Sequence, residues 1–223
     1  MGAERPKQFL PLGHRTVLAY SVETFDRAAF DGEFCLVAPH DYIEETARTL
    51  PPRLVSGASI QLVIGGADRH ASTLAGLDAI LTGSPDDADL VLFHDVARPL
   101  IEDDELRRLV GAFANDSELE LASLAAPITE TIVRAAQLPG RLTQTVNREE
   151  YFAIKTPQAA RVGALRRMRA ADAQSRTNSG GFTDLLTWGE AHGIQGLLVP
   201  AGPKNLKLTR PADLPYLESL LTR

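Results

Sequence analysis

The chain has 223 residues, a length that suits one large α/β domain. Apolar residues make up 44% and charged residues 23%, as in ordinary globular proteins. The net charge of −6 argues against a broad nucleic-acid-binding surface, although a small basic pocket for a phosphorylated ligand is compatible with it. The only cysteine, Cys35, excludes an intrachain disulfide and lies in an apolar run typical of a core. Because no apolar run has membrane length and no signal peptide is visible, we expect a cytoplasmic protein that does not insert into membranes.

The first part of the chain predicts alternating helices and strands. Apolar residues at helical spacing predict a helix over 16–26, and a short apolar run predicts a strand at Phe34–Ala38. A helix over 42–49 is expected to end before Pro51, which breaks helices. Ile60–Ile64 is predicted to be the next strand.

A glycine pair follows this strand. Gly65 and Gly66 would let the backbone approach a ligand closely. The helix after them offers its N-terminal N–H groups to an anion, with Arg69 and Ser72 in or beside its first turn. An ordinary turn is the alternative explanation of the two glycines, and His70 is expected to be a surface helix residue.

Charged residues begin where the apolar strand Leu90–Leu92 should end. Ligands of open α/β sheets collect beyond the carboxyl ends of parallel strands. Asp95 would present a carboxylate there for a metal or a sugar hydroxyl, and Arg98 a fork suited to phosphate. The alternative is a strand-end loop with a surface Asp–Arg pair.

The second part of the chain contains two polar, β-branched segments. A helix over 102–114 and a buried strand over 121–126 precede them. Segments 129–135 and 141–148 flank Pro139-Gly140 and predict a β-hairpin with mixed faces. Because a lone hairpin is marginal in water, we expect it to pack on a neighbour as an arm.

The remaining chain returns to the core and ends in a helix. The predictions for it are a core segment at Lys155–Gln158, a helix over 161–173, a mobile loop over 175–181, a helix over 183–192 capped by Thr183 or Asp184, a strand at Gly196–Pro200, a short extended piece at Asn205–Thr209 and a final helix from Pro211.

Several short motifs stand in one order along almost the whole chain. They are Pro6-Lys7-Gln8-Phe9, Gly65-Gly66 with Arg69 and Ser72, His94-Asp95-x-Ala97-Arg98-Pro99, Thr145-Val146-x-Arg148, Thr156-Pro157-Gln158, Thr183-Asp184 and Asn205-x-Lys207-x-Thr209-x-Pro211. In this order and spacing the chain resembles the 2-C-methyl-D-erythritol 4-phosphate cytidylyltransferase family of the non-mevalonate isoprenoid pathway. Ribitol-5-phosphate cytidylyltransferases look similar through the same motifs, so the acceptor stays open.

The resemblance implies a fold and a reaction. The implied fold is α/β, with a doubly wound, mostly parallel, Rossmann-like sheet in a single domain over 1–223 and a protruding β-arm at about 129–148. In the family this arm exchanges across a homodimer. The implied reaction joins CTP to a sugar-alcohol phosphate and releases pyrophosphate, with Mg²⁺ as cofactor and no covalent enzyme intermediate. Its catalysis would consist mostly of positioning and charge neutralisation.

The resemblance also implies a set of site residues. Lys7 and Lys207 match the catalytic lysines on the nucleotide phosphate. Positions of the cytosine, ribose and Mg²⁺–triphosphate sites correspond to Gly65, Gly66, Ser72 and Asp95, the last also as the metal ligand. Positions that hold the acceptor phosphate correspond to Arg98, Thr131 and Arg148, the latter two reached from the partner's arm.

The sequence departs from the family pattern most strongly at its start. The family has a strand and a glycine-rich loop with an arginine before Pro-Lys-Gln, and here Met1-Gly2-Ala3 stands where that loop ends. We therefore expect unpaired strand edges, weak CTP binding and slow turnover for the chain as it stands. Smaller departures are Ala67 in place of an acidic residue and Leu185-Leu186 after Thr183-Asp184. Two hypotheses remain: an active cytidylyltransferase, and a nucleotide-binding or dimeric interaction protein that no longer catalyses.

Overall fold

The structure is a computed structural model that describes residues 5–28, 30–51, 53–137, 139–174 and 182–221. The strands are β1 (Pro11–Leu12), β2 (Arg15–Thr16), β3 (Phe34–Ala38), β4 (Ile60–Ile64), β5 (Leu90–Phe93), β6 (Leu121–Pro127), β7 (Val133–Ala135), β8 (Leu142–Thr145), β9 (Phe152–Arg161) and β10 (Gly196–Pro200). The α-helices are α1 (Val17–Arg27), α2 (Ile43–Thr49), α3 (Arg69–Thr82), α4 (Asp103–Asn115), α5 (Val162–Gln174), α6 (Leu185–Ala191) and α7 (Leu214–Leu221).

The largest sheet has the strand order β10-β6-β9-β5. β10 pairs parallel to β6, whereas β9 runs antiparallel to both β6 and β5. Three of its four strands therefore point the same way, because β5 and β6 are each opposed to β9. The predicted mostly parallel α/β sheet is confirmed, with β9 as the reversed strand.

Helices cover both faces of this sheet. Leu121 packs with residues of α3, α5 and α6, including Leu165 and Trp188. The next residue, Ala122, packs instead with Leu109 of α4. Since successive strand residues point to opposite faces, α4 lies on one face and the other three helices on the opposite face.

The ten-residue strand β9 was not predicted. Its sequence contains Pro157, and a proline inside a strand normally argues against a central position. The structure accommodates it at an irregularity, because the pairing of β6 with β9 shifts register between Ser123 and Ala125. The sequence pattern around Lys155–Gln158 therefore hid a central strand.

β3 and β4 form a separate parallel pair. Within the part of the chain that the structure describes, no strand pairs with the second edge of β3 or of β5. Along β5, Val91 is buried, and Leu90, Leu92 and Phe93 are half-buried. Residues 1–4, where the sequence departs most from the family pattern, lie outside the described residues.

α3 packs closely against β3 through Gly76. A Cβ at this position would lie 2.7 Å from a methyl carbon of Val37, so a side chain would push the helix away. Cys35 donates its thiol to the carbonyl of Gly76 at 3.6 Å and is half-buried, and burial raises its pKa. The helix that carries Arg69 and Ser72 is thereby fixed against the β3–β4 pair.

The predicted hairpin is present but shorter than expected. β7 and β8 pair antiparallel, and all four residues of β8 are exposed. Val133 and Leu142 keep 50% and 59% of their surface exposed. Whether this hairpin serves as an arm between subunits stays a prediction.

The C-terminal segment lies beside the loop after β5. Residues 205–209 are irregular and not an extended strand, but the N–H of Leu208 donates to the carbonyl of Ala97 at 2.8 Å.

α6 begins after Asp184, which caps it by accepting from the N–H of Thr187 at 3.0 Å, as predicted. The predicted mobile loop over 175–181 lies outside the described residues. None of the helices within the described ranges is long and apolar enough to span a bilayer.

Candidate active site

The loop after β5 forms a tight turn around Asp95. Asp95 accepts the N–H of Ala97 on its carboxylate at 3.0 Å, and its own carbonyl accepts the N–H of Arg98 at 2.8 Å. These two bonds hold the carboxylate and the guanidinium on one short segment, as the sequence predicted for the end of this strand.

Two lysines from distant parts of the sequence meet at this turn. Lys207 Nζ lies 2.6 Å from Asp95 Oδ2, and Lys7 donates to the carbonyl of Leu208 at 3.3 Å. Burial raises the pKa of Asp95, but the hydrogen bond from Lys207, the N–H of Ala97 and the two lysine charges outweigh it and lower that pKa. Asp95 is therefore an anion at neutral pH, flanked by two cations.

His94 ties both ends of the turn together. Its Nε2 donates to the carbonyl of Arg98 at 3.1 Å, since a carbonyl only accepts. Nδ1 then accepts from the hydroxyl of Thr156 at 3.2 Å, and this hydroxyl accepts the N–H of Asp95 at 3.1 Å. Burial lowers the pKa of His94 to about 4, so the ring is neutral at pH 7.

Asn205 links Arg98 to a buried carboxylate. Arg98 Nη1 donates to its backbone carbonyl at 3.3 Å, and its side-chain amide donates to Glu105 at 3.0 Å and to the carbonyl of Thr156 at 3.0 Å. Glu105 also accepts the backbone N–H groups of Gly202 and Glu102, at 2.7 and 2.9 Å. Asn205 and Glu105 are both fully buried, so this network fixes the floor of the site.

Gly65, Gly66 and Ser72 form a separate local arrangement. A Cβ on Gly66 would lie 2.4 Å from the Cβ of Ala71, so only glycine fits the turn before α3. Ser72 Oγ donates to the carbonyl of Asp68 at 2.8 Å. Among the described residues, no hydrogen bond or ion pair joins this group to Asp95 or the two lysines.

The residues around this group also have structural tasks. Asp68 caps α3 by accepting the N–H of Ala71, and Arg69 donates to the carbonyl of Thr183. His70 is half-buried and packs edge-on against Phe182 and Trp188, so the prediction of a surface position was only partly right.

Thr131 and Arg148 lie on the hairpin. Arg148 Nη1 donates to the carbonyl of Thr129 at 2.6 Å, and both predicted residues are exposed. Over the described ranges, neither has a hydrogen bond or ion pair with the Asp95 cluster.

The donor set fits a cation that arrives with its nucleotide. The described part of the chain has no group of three or more histidine, cysteine, aspartate or glutamate side chains placed to hold a metal. Asp95 is a single carboxylate at the site, and Mg²⁺ is commonly bound by one or two carboxylates together with substrate phosphates. The Asp95 turn, as far as the structure describes it, thus offers a single carboxylate to a metal.

Sequence reasoning missed several residues of this cluster. His94 and Asn205 were noticed only as parts of motifs, and Glu105 was not singled out because a glutamate in a helical first turn usually faces water. Lys155 was read as part of a core segment, yet its ammonium group donates to the carbonyl of Asn205 at 2.7 Å. The sequence feature that could have identified Lys155 is its place directly before the Thr-Pro-Gln motif.

Comparisons with known proteins match nearly the full length of the chain to proteins of one description. The family model described as IspD, 2-C-methyl-D-erythritol 4-phosphate cytidylyltransferase, matches residues 1–223. A protein of Pseudomonas fluorescens with that description is 38% identical over 224 residues, covering 100% of this chain and 90% of its own length. One of Ectopseudomonas mendocina is 36% identical over 220 residues, covering 97% and 88%. The crystal structure of 2-C-methyl-D-erythritol 4-phosphate cytidylyltransferase from Thermus thermophilus is similar with a TM-score of 0.74 at 26% identity, covering 98% and 94%.

Proposed function

Because this chain belongs to the 2-C-methyl-D-erythritol 4-phosphate cytidylyltransferase family, we propose that it transfers the cytidylyl group of CTP to 2-C-methyl-D-erythritol 4-phosphate. The products are CDP-methylerythritol and pyrophosphate. The observation that carries the proposal is the contact of Lys207 with Asp95 at 2.6 Å, with Lys7 on the neighbouring carbonyl of Leu208. The whole chain acts as one domain in this proposal.

The two lysines neutralise the reacting phosphates. A phosphate oxygen of the acceptor attacks the α-phosphorus of CTP in line, and negative charge accumulates on the oxygens around it. Lys7 and Lys207 are compact charges that suit these crowded oxygens. Their preorganised placement stabilises the transition state, in which the charge is greatest.

Asp95 has two tasks in this scheme. It holds Lys207 in place before the nucleotide binds, and its low pKa keeps it ionised beside the ribose and the Mg²⁺–triphosphate. Mg²⁺, when bound with CTP, supplies charge neutralisation on the triphosphate. Gly65, Gly66 and Ser72 form the cytosine and ribose pocket, in which Gly66 permits the tight turn that packs against Ala71.

The acceptor phosphate binds to Arg98 and to residues of a second subunit. Arg98 is half-buried on the same turn as Asp95, which places its fork beside the reacting centre. Thr131 and Arg148 reach the site from the hairpin of the partner in a homodimer.

The test is pyrophosphate release with CTP, Mg²⁺ and methylerythritol phosphate. We expect turnover with this acceptor and little with ribitol 5-phosphate. Lys207→Ala and Asp95→Asn should lower kcat by about a hundredfold while melting near the wild type, because neither side chain is fully buried and neither change leaves a large cavity. Lys204→Ala, which removes a surface lysine paired with Glu102, is the matched control and should leave the rate unchanged.

Two results would contradict the proposal. Release of no pyrophosphate with any polyol phosphate would favour the non-catalytic relative. Wild-type rates in Lys207→Ala or Asp95→Asn would remove that residue from the assignment.

A further inference from the structure

Two cationic side chains converge on one neutral oxygen beside the site. Lys155 Nζ donates to the backbone carbonyl of Asn205 at 2.7 Å, and Arg98 Nη1 donates to the same oxygen at 3.3 Å. Arg98 Nη1 also lies 3.4 Å from the side-chain oxygen of Asn205. A single carbonyl therefore receives donors from two positive charges.

Neither cation has a carboxylate partner. Within the described ranges, no acidic side chain lies within ion-pair distance of Arg98 or Lys155. Asp95 is taken by Lys207, and the oxygens of Glu105 are occupied by Asn205 and two backbone N–H groups. The carboxylates of Asp95 and Glu105 therefore form no ion pair with Arg98 or Lys155.

Burial disfavours the charged forms of both Arg98 and Lys155. It lowers the pKa of both Arg98 and Lys155, and the Arg98 charge lowers that of Lys155 further. Arg98 Nε is buried and has no hydrogen-bond partner. Like charges and an unsatisfied buried donor both cost free energy, and an anion between them would offset that cost.

The backbone around Lys155 is rigid enough to define a site. Its carbonyl accepts the hydroxyl of Ser123 at 3.1 Å, and the next carbonyl, of Thr156, accepts the amide of Asn205 at 3.0 Å. The hydroxyl of Thr156 in turn holds the N–H of Asp95 at 3.1 Å. The backbone that carries Lys155 is therefore fixed next to Thr156, which holds the turn of Asp95 and Arg98.

We propose that Lys155 binds the phosphate group of the polyol phosphate acceptor together with Arg98. A phosphate monoester carries nearly two negative charges and several acceptor oxygens. It accepts from the half-buried guanidinium of Arg98 and from the two Lys155 protons that Asn205 leaves unused. Asn205 is the positioning residue, because its carbonyl oxygen accepts from both cations. This inference rests on the proposed transfer to a polyol phosphate.

The experiment measures steady-state kinetics of Lys155→Met, Lys155→Gln and Lys155→Arg with methylerythritol phosphate and CTP varied separately. We expect KM for the acceptor to rise about ten- to a hundredfold in the first two variants, with KM for CTP unchanged. Lys155→Arg should restore part of the affinity. Lys204→Met removes a nearby surface lysine and should behave as the wild type.

Calorimetric binding of methylerythritol phosphate to the same proteins gives a second readout. Melting temperatures should not fall in Lys155→Met or Lys155→Gln, because the change removes an unpaired charge. An unchanged acceptor KM and an unchanged binding constant, in an active and folded variant, would overturn the inference. So would a rise confined to the KM for CTP. A wild type that binds no acceptor and releases no pyrophosphate would instead contradict the proposed function itself.

Discussion

At the scale of the single residue, His94 is the clearest example of a side chain set by its surroundings. Its two ring nitrogens have one carbonyl and one hydroxyl as partners, and burial keeps the ring neutral, with its pKa lowered to about 4. The ring also packs against Phe25 with centroids 5.0 Å apart. His94 is thus a positioning residue that fixes the turn of Asp95 and Arg98.

We predict that His94 makes folding stability fall at acidic pH. The folded-state pKa is about 4, below the ordinary 6.5, so the unfolded chain takes up the proton first as the pH drops. Its contribution is complete above pH 6.5 and is lost as the pH falls toward 4, a change on the order of 3 kcal/mol. Urea unfolding at pH 7 and pH 4.5 measures it.

His94→Gln should flatten this pH dependence. Glutamine keeps a donor and an acceptor but does not titrate. The control is His40→Gln, since His40 is exposed beside Asp41 and should leave the pH dependence as in the wild type. An equal loss of stability on acidification in the wild type and in His94→Gln would contradict the assignment.

At the scale of the elements, side-chain hydrogen bonds join a helix, a strand and a loop at the site. Glu105 belongs to the first turn of α4, Thr156 to β9, and Asn205 to an irregular segment after β10. The side chain of Asn205 bonds the other two. Helix, sheet and loop therefore meet at one buried amide.

We predict that Asn205→Ala lowers the free energy of unfolding by about 2 to 3 kcal/mol. The variant leaves the buried carboxylate of Glu105 short of one donor and the carbonyl of Thr156 without its partner. Urea unfolding at pH 7 is the measurement. Asn115→Ala, at the exposed end of α4, is the control and should change stability little. A stability equal to the wild type in Asn205→Ala would show that the network does not tie the elements together.

At the scale of the whole molecule, we predict that the hairpin completes the site of a partner subunit. The hairpin exposes Val133 and Leu142, and Arg148 after its second strand donates to the carbonyl of Thr129. We predict a homodimer with two-fold symmetry in which each site takes these residues from the other chain. Sedimentation at micromolar concentration should give the mass of two chains.

Mixed dimers provide the sharper measurement. Arg148→Ala and Lys7→Ala should each be nearly inactive alone, because each affects both sites of its own dimer. Co-expression should recover roughly a quarter of wild-type activity, since half of the dimers are mixed and each holds one intact site. A monomer in sedimentation, or no recovery in the mixture, would contradict the shared site.

The sequence by itself determined most elements and the turn of Asp95 and Arg98. Strands β3, β4 and β10 begin and end where the apolar runs predict, because short runs bounded by turn residues depend mainly on local pattern. Asp184 caps α6 for the same local reason. The motif order identified the family, which the match over the whole chain confirms.

Only the tertiary structure decided what lies around that turn. β9 escaped prediction because Pro157 argues locally against a strand, and a register shift opposite it exists only once β6 is in place. Lys155 and Arg98 share one carbonyl, and His94 is neutral, because residues distant in sequence bury them together. Burial, charge pairing and the count of hydrogen-bond partners depend on neighbours across the fold, and local sequence pattern does not contain them.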